Sequence, residues 1–351
     1  MQKTRELWVD YTKVFACILV VIGHLLQGLN KANIEWNENL YNYINNFIYV
    51  FHMPLFMCLS GYLYEKYTKI GSWKEYFKFI KKKLINLGVP YFIFYIAFVL
   101  INMLFASSVN SPRGIDDILN ILTNPMPPFW FLYALFFIFL IIPLLEKLLK
   151  NSTYVILILA IILHIGNIFV ETGIYAIDIV CEYLVYFYLG AIISKKLQAK
   201  EFSTNYTIIL GILFVALTLG YCYLKINSIL NESILDVLKF ILAIYGTFIS
   251  IAIFRKLTVY LKNNYIINKI AKNTFPIYLM HTIFSAGMGI VLLKIGITNF
   301  YIHVILGLVL GIIGPIIVAE ILKITRYGNI MLYPIKTVNE IKKEKVDRQI
   351  G

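Results

Sequence analysis

The chain has 351 residues, of which 60% are hydrophobic and only 15% charged, with a mean hydropathy of +0.75. Soluble domains carry about 25% charged residues, so this mixture cannot clothe a water-facing surface, and soluble globular and disordered classes are excluded. The net charge of +13, from 32 Lys and Arg against 19 Asp and Glu, is the inner-loop bias of a membrane chain rather than a sign of a nucleic-acid partner.

Crossing a bilayer core takes about 20 mostly apolar helical residues. Ten such segments follow one another: Leu7–Leu29, Tyr43–Tyr64, Leu84–Ala106, Phe129–Leu149, Tyr154–Val170, Ile174–Ile193, Tyr206–Leu224, Ile234–Ile253, Thr274–Leu293 and Tyr301–Ile324. Membrane strands are about 10 residues long and alternate in polarity, and these runs do neither. The expected fold is an all-α polytopic bundle in the lipid bilayer. A single membrane domain is expected over residues 1–335, and a charged, frayed cytoplasmic tail over 336–351. The first run is read as a retained span rather than a cleaved signal, because Asp10 and Lys13 interrupt its start and no small-residue cleavage site follows.

Orientation comes from the loops. Lys3, Arg5, Lys13, the seven lysines between Lys66 and Lys83, Lys147, Lys150, Lys195, Lys196, Lys200, the cluster from Arg255 to Lys272, and the tail from Lys323 to Arg348 all fall on one side. They make 27 of the 32 basic residues, leaving Lys31, Arg113, Lys225, Lys239 and Lys294 on the other. Basic loops stay inside, so both termini are expected in the cytoplasm. The lysine- and aromatic-rich stretch Tyr67–Phe79 reads as lying along the inner membrane surface.

Ionisable groups within spans cost at least a few kcal/mol each, so they are where chemistry is sought. The first span carries Asp10, Lys13, Cys17, His24 and Gln27, at gaps of 3, 4, 7 and 3 that keep them on one helical face. Lys13 and His24 are separated by about 16 Å along the axis and about 20° around it. The second span places His52 two residues before Pro54, whose ring loosens the helix, and Ser60-Gly61 there allows close helix approach. His281 lies in the ninth span. Asp178 and Glu182 sit four apart near the outer end of the sixth span, where they can contact a hydroxyl-rich acceptor or simply solvate the interface. Lys81-Lys82-Lys83 is either an ordinary inner cluster or a dock for a polyanion. His164 and His303 rank lower, being set in plain apolar runs. Cys17, Cys58, Cys181 and Cys222 show no paired spacing, so neither a disulfide framework nor a metal site is expected.

Taken in order, several stretches resemble the acyltransferase family 3 membrane proteins. They are Lys13 with ten residues to His24, Phe51-His52-Met53-Pro54-Leu55-Phe56 with Leu59-Ser60-Gly61-Tyr62, Leu87-Gly88-Val89-Pro90-Tyr91, Trp130-Phe131-Leu132, Tyr188-Leu189-Gly190 and Ile277-Tyr278-Leu279-Met280-His281. The resemblance covers nearly the whole chain. Many members have arginine at the basic position of the first span and an arginine pair after the second, where this chain has Lys13 and Lys81–Lys83. The extracytoplasmic hydrolase-like domain fused to some members has no counterpart here, so the membrane domain or a separate partner is expected to complete transfer.

The resemblance implies a multi-pass plasma-membrane enzyme moving an acyl group, acetyl first among them, from acyl-CoA to a hydroxyl of a cell-envelope carbohydrate or related acceptor. Lys13, Lys81, Lys82 and Lys83 are then the donor-binding candidates. His24 is the general base or acyl carrier, and His52 and His281 complete the catalytic set. Asp10, Ser60, Trp130 and Glu182 are the acceptor contacts. No metal is expected, and a homo-oligomer is left open. A second reading of the same buried polar groups is a transporter or flippase of an envelope precursor or small solute, with the histidines as a proton relay.

The orientation is tested by labelling. A cysteine placed at Asn110, in the 107–128 loop, is expected to react with an impermeant reagent added outside, while one placed at Lys81 stays protected. The reverse pattern overturns the assignment.

Overall fold

The computed structural model describes residues 6–150, 152–196, 203–261 and 264–350, the last eight of these as backbone only. Lys3, Arg5, Lys200 and Lys262, used above for orientation, lie outside the described residues, as do the side chains of Lys343, Lys345 and Arg348. The described residues form fifteen α-helices and one π-turn. They are α1 (Leu7–Lys31), α2 (Glu38–Tyr67), α3 (Trp73–Lys83), the π-turn (Leu84–Gly88), α4 (Val89–Leu104), α5 (Ile115–Leu119), α6 (Trp130–Leu148), α7 (Thr153–Phe169), α8 (Tyr175–Lys196), α9 (Thr204–Ile226), α10 (Glu232–Leu261), α11 (Tyr265–Lys272), α12 (Thr274–Lys294), α13 (Phe300–Ile324), α14 (Arg326–Leu332) and α15 (Pro334–Ile350). Among them, nine helices are long and apolar enough to cross a membrane, counting Trp73–Leu104 as one. The tenth expected span is α7, 17 residues long, at the short limit for crossing.

The chain forms two compact units. The first comprises Met1–Lys69 and Leu145–Thr274, and the second Ile70–Leu144 and Phe275–Gly351. Each is described by itself.

In the first unit α2 is the central helix, buried almost continuously from Ile48 to Tyr64. The Asn37 side chain starts it, accepting from the Leu40 amide at 2.9 Å. Its closest neighbour is α8. A Cβ added to Gly61 would lie 1.7 Å from the Phe187 carbonyl oxygen, and one added to Gly190 would lie 1.8 Å from that of Cys58. Only two glycines let the backbones meet this way. Glu65 and Lys195 pair at 3.3 Å just beyond the glycines, so the two helices run in the same direction. Phe47, Phe51 and Phe214 stack edge to face at 5.3–6.0 Å between α2 and α9. Glu6 ties the start of α1 to the end of α2 through Lys66 and the Tyr62 hydroxyl at 2.7 Å.

In the second unit α3 begins with a capping box of Ser72 and Glu75 and runs through the π-turn into α4. Pro90 lacks the amide that would bond the Asn86 carbonyl, and the wider turn falls at this break. The stretch expected along the inner membrane surface therefore continues directly into a spanning helix. One of its faces packs on α6, with the Tyr76 hydroxyl donating to the Leu140 carbonyl at 3.1 Å and Phe79 on Phe139 at 5.7 Å. The loop before α6 is pinned by hydroxyls, Tyr95 to Asp117 at 3.0 Å and Tyr133 to Leu122 at 2.7 Å. The tail expected to fray is helical through Ile350.

Alanine at Gly61 or Gly190 must force backbones apart. Overpacking of this kind destabilises by about 1–3 kcal/mol or more. Gly220 in α9 has nothing within 4 Å of its added Cβ, so Gly220→Ala should gain about 0.5–1 kcal/mol from helix propensity. Thermal unfolding in detergent is expected to separate the three variants in that order. Equal midpoints would refute the close contact.

Candidate active site

The first helix runs unbroken from Leu7 to Lys31, so the polar stripe keeps the spacing read from the sequence. Asp10, Lys13, His24 and Gln27 are half-buried, and Cys17 is buried. The lower stripe reaches the start of α12, where the Cys17 thiol faces the Thr274 carbonyl at 3.9 Å. The upper stripe faces α2, with the Gln27 amide donating to Asn45 Oδ1 at 3.2 Å. The stripe thus packs inward rather than on lipid.

One turn beyond Asn45 stands Tyr49, and it joins two of the candidate histidines. Its ring meets His24 edge-on at 6.5 Å and 89°, and His52 at 4.7 Å and 81°. The ring fits against α1 because Gly23 has no side chain, since an added Cβ there would stand 3.0 Å from it. The Tyr49 hydroxyl is buried, with the Gln27 side chain beside it. Asn45, Tyr49 and His52 fall at i, i+4 and i+7, on one face of α2.

His52 is buried, and its Nδ1 lies 2.7 Å from the Ile48 carbonyl. A carbonyl only accepts, so Nδ1 carries the proton in the neutral ring and Nε2 keeps the lone pair. Pro54 frees the Val50 carbonyl, not this one, so the histidine's anchor is independent of the proline. Ser60 spends its hydroxyl on the Phe56 carbonyl of its own helix at 2.9 Å. Glu182 is half-buried on α8, with Lys239 and Asp236 of α10 among its charged neighbours.

The remaining candidates lie in the second unit. His281 is fully buried, its Nδ1 3.0 Å from the Ile277 carbonyl and 2.9 Å from that of Tyr278. Tyr278 packs on Phe131 at 5.7 Å and donates its hydroxyl to the Pro128 carbonyl. Trp130 is half-buried, with its ring edge on Phe131 at 6.3 Å. Lys81 and Lys82 are exposed, whereas the Lys83 ammonium stands 3.5 Å from the centre of the Phe139 ring, a cation–π contact that engages it within the protein. The structure thus groups Lys13, His24 and His52 with Tyr49 in one unit, and His281 with the Trp130 region in the other.

Tyr49, Asn45, His164 and Lys239 went unmarked as site residues in the sequence. The spacing of Asn45, Tyr49 and His52 was a usable signal, hidden in an aromatic-rich run. His164 and Lys239 gain meaning only from neighbours on other helices. Among the described residues, no group of three or more His, Cys, Asp and Glu side chains is placed to hold a metal ion.

Comparison with known proteins assigns the class. The sequence profile of the family described as "Acyltransferase domain" matches residues 6–320. The chain belongs to this acyltransferase family. It is a multi-pass membrane member of this family. It is also similar to the nodulation protein NolL of Mesorhizobium japonicum, with 31% identity over 156 residues, 43% of this chain and 39% of that protein. NolL of Sinorhizobium fredii matches at 49% identity over 59 residues, 17% of this chain and 16% of that protein. The chain thus matches about two fifths of the first relative's length or less. No solved structure matches it. Family membership favours acyl transfer over the transporter reading.

Proposed function

We propose that this protein transfers an acyl group, acetyl first among them, from acyl-CoA on the cytoplasmic side of the plasma membrane to a hydroxyl of a cell-envelope carbohydrate or related acceptor. The observation that carries the reading is the pairing of His24 and His52 across Tyr49, at the far end of a helix face that begins with Lys13.

Lys13 stands about 16 Å along α1 from His24, a length comparable to the arm that links the donor's phosphates to its thioester. In this reading Lys13 holds phosphate as a point charge, and the thioester reaches the histidines. Lys81 and Lys82 offer exposed charge of the same kind in the second unit. Lys83, seated on Phe139, has less to give. Asp10 and Trp130 remain acceptor-contact candidates, Ser60 less so with its hydroxyl already engaged. His281, held by two carbonyls, serves as a positioning group. Both termini are cytoplasmic in this reading.

His24 takes the proton of the acceptor hydroxyl as its oxygen attacks the thioester carbonyl. The C–S bond breaks, the ester forms, and the thiolate of coenzyme A recovers the proton from the imidazolium. If His24 instead carries the acyl group first, the same ring is required. The Tyr49 hydroxyl is available to the carbonyl oxygen, on which negative charge develops. His52 Nε2, its tautomer set by Ile48, offers an acceptor beside them.

General-base assistance is worth about 10²–10⁴-fold, so His24→Gln should lose transfer by about that factor while binding donor normally. His52→Ala should lose less. Lys13→Gln should raise the apparent KM for acetyl-CoA with kcat nearly unchanged, because phosphate contacts act equally on ground and transition states. Near-wild-type transfer by a folded His24→Gln variant, or a collapse of kcat at Lys13→Gln with donor affinity intact, contradicts the assignment.

A further inference from the structure

The side of α3 turned away from α6 begins with residues that the chemistry above leaves unused. At about 100° per residue the helix divides into three strips. Tyr76, Phe79 and Lys83 make the strip that packs on α6. Trp73 and Phe77, with Leu84 at the start of the π-turn, fall on a second strip and keep 53%, 65% and 50% of their surface exposed. Lys74, Lys78, Lys81 and Lys82 fall on the third, all of them exposed. Among the described residues, none of these four lysines forms an ion pair.

The stability of the helix explains neither the apolar strip nor the start of the basic one. Large apolar side chains gain nothing by facing water. Lys74 stands in the first turn of α3, where the helix dipole disfavours a cation. Glu75 is the one acidic residue of α3, and its carboxyl accepts from the Gly71 and Ser72 amides at 2.7 and 3.1 Å, so it is committed to the cap. The helix runs on through the π-turn into α4, and Trp73–Leu104 together are long and apolar enough to cross a membrane. The exposed face therefore stands at the end of a span, where water gives way to lipid.

We infer that this exposed face of α3 docks acidic phospholipids of the surrounding bilayer. Lys74 and Lys78, one turn apart, hold the anionic headgroups, and Trp73 and Phe77 seat among the upper acyl chains. An apolar strip beside a basic one matches that boundary, since chains cover the rings where phosphates meet the ammoniums. Tryptophan favours the same level. A zwitterionic headgroup carries its own cation and leaves the lysine charge unbalanced, so the face discriminates by headgroup charge. Lys81 and Lys82 continue the strip, and as donor-binding candidates they stay unchanged in the test. Lipid docking does not rest on the acyltransferase reading.

The test is fluorescence quenching of the full chain reconstituted in vesicles of phosphatidylcholine with a minority of phosphatidylglycerol. One lipid at a time carries bromine on its upper acyl chain, at equal mole fraction. Subtracting the signal of Trp73→Phe isolates Trp73. Brominated phosphatidylglycerol is expected to quench Trp73 as a lipid preferred about threefold or more over phosphatidylcholine, and high salt should shrink that preference. The double variant Lys74→Gln and Lys78→Gln should lose the preference while phosphatidylcholine still quenches, and Lys74→Arg with Lys78→Arg should keep it. Thermal midpoints confirm that the variants fold. Equal quenching by the two lipids in the unaltered chain overturns the inference, as does an unchanged preference in the folded glutamine variant. Absence of Trp73 quenching by either lipid also overturns it, because the face then lies in water.

Discussion

The backbone contact between α2 and α8 sets the first unit. Gly61 and Gly190 lie against carbonyls of the opposite helix, and the Glu65–Lys195 pair just beyond them shows the helices running in parallel. From these glycines, His52 stands nine residues back along α2 and Glu182 eight residues back along α8. At 1.5 Å per residue both lie about 12–14 Å from the contact, at a shared depth. Lys239 of α10 is a charged neighbour of both. The contact therefore holds the histidine end and the carboxyl end of the unit in register.

The chemistry depends on how each imidazole is held. His52, His164 and His281 each place Nδ1 on a backbone carbonyl, which fixes the neutral tautomer and leaves Nε2 as the lone-pair nitrogen. His24 differs in being half-buried on a stripe that leads back to Lys13. Carbonyl-held rings suit positioning and hydrogen bonding. In the proposed reading, the ring on the half-buried stripe is the one that transfers the proton.

The ten helical segments were legible in the sequence because span length and apolarity are local properties. The stripe on α1 was legible too, since an unbroken helix turns residue spacing into geometry. Close approach at Gly61 was foreseen, but its partner, Gly190, was only part of a familiar stretch until α8 was placed. Tyr49 was hidden among aromatic neighbours in the sequence, and its role as the ring between His24 and His52 depends on how α1 pairs with α2. Lys83 looked equal to Lys81 and Lys82, and only the position of Phe139 separates them. His164 ranked low and Lys239 counted only toward orientation, because their partners come from other helices, more than ten residues away along the chain.

The most direct measurement follows labelled acetyl-CoA presented to purified, vesicle-reconstituted protein together with a mixture of envelope glycans. The account predicts release of free coenzyme A matched by label appearing as a base-labile ester on glycan, with donor accepted only from the face that carries the termini. Intact acetyl-CoA after incubation with folded protein and glycans would contradict it.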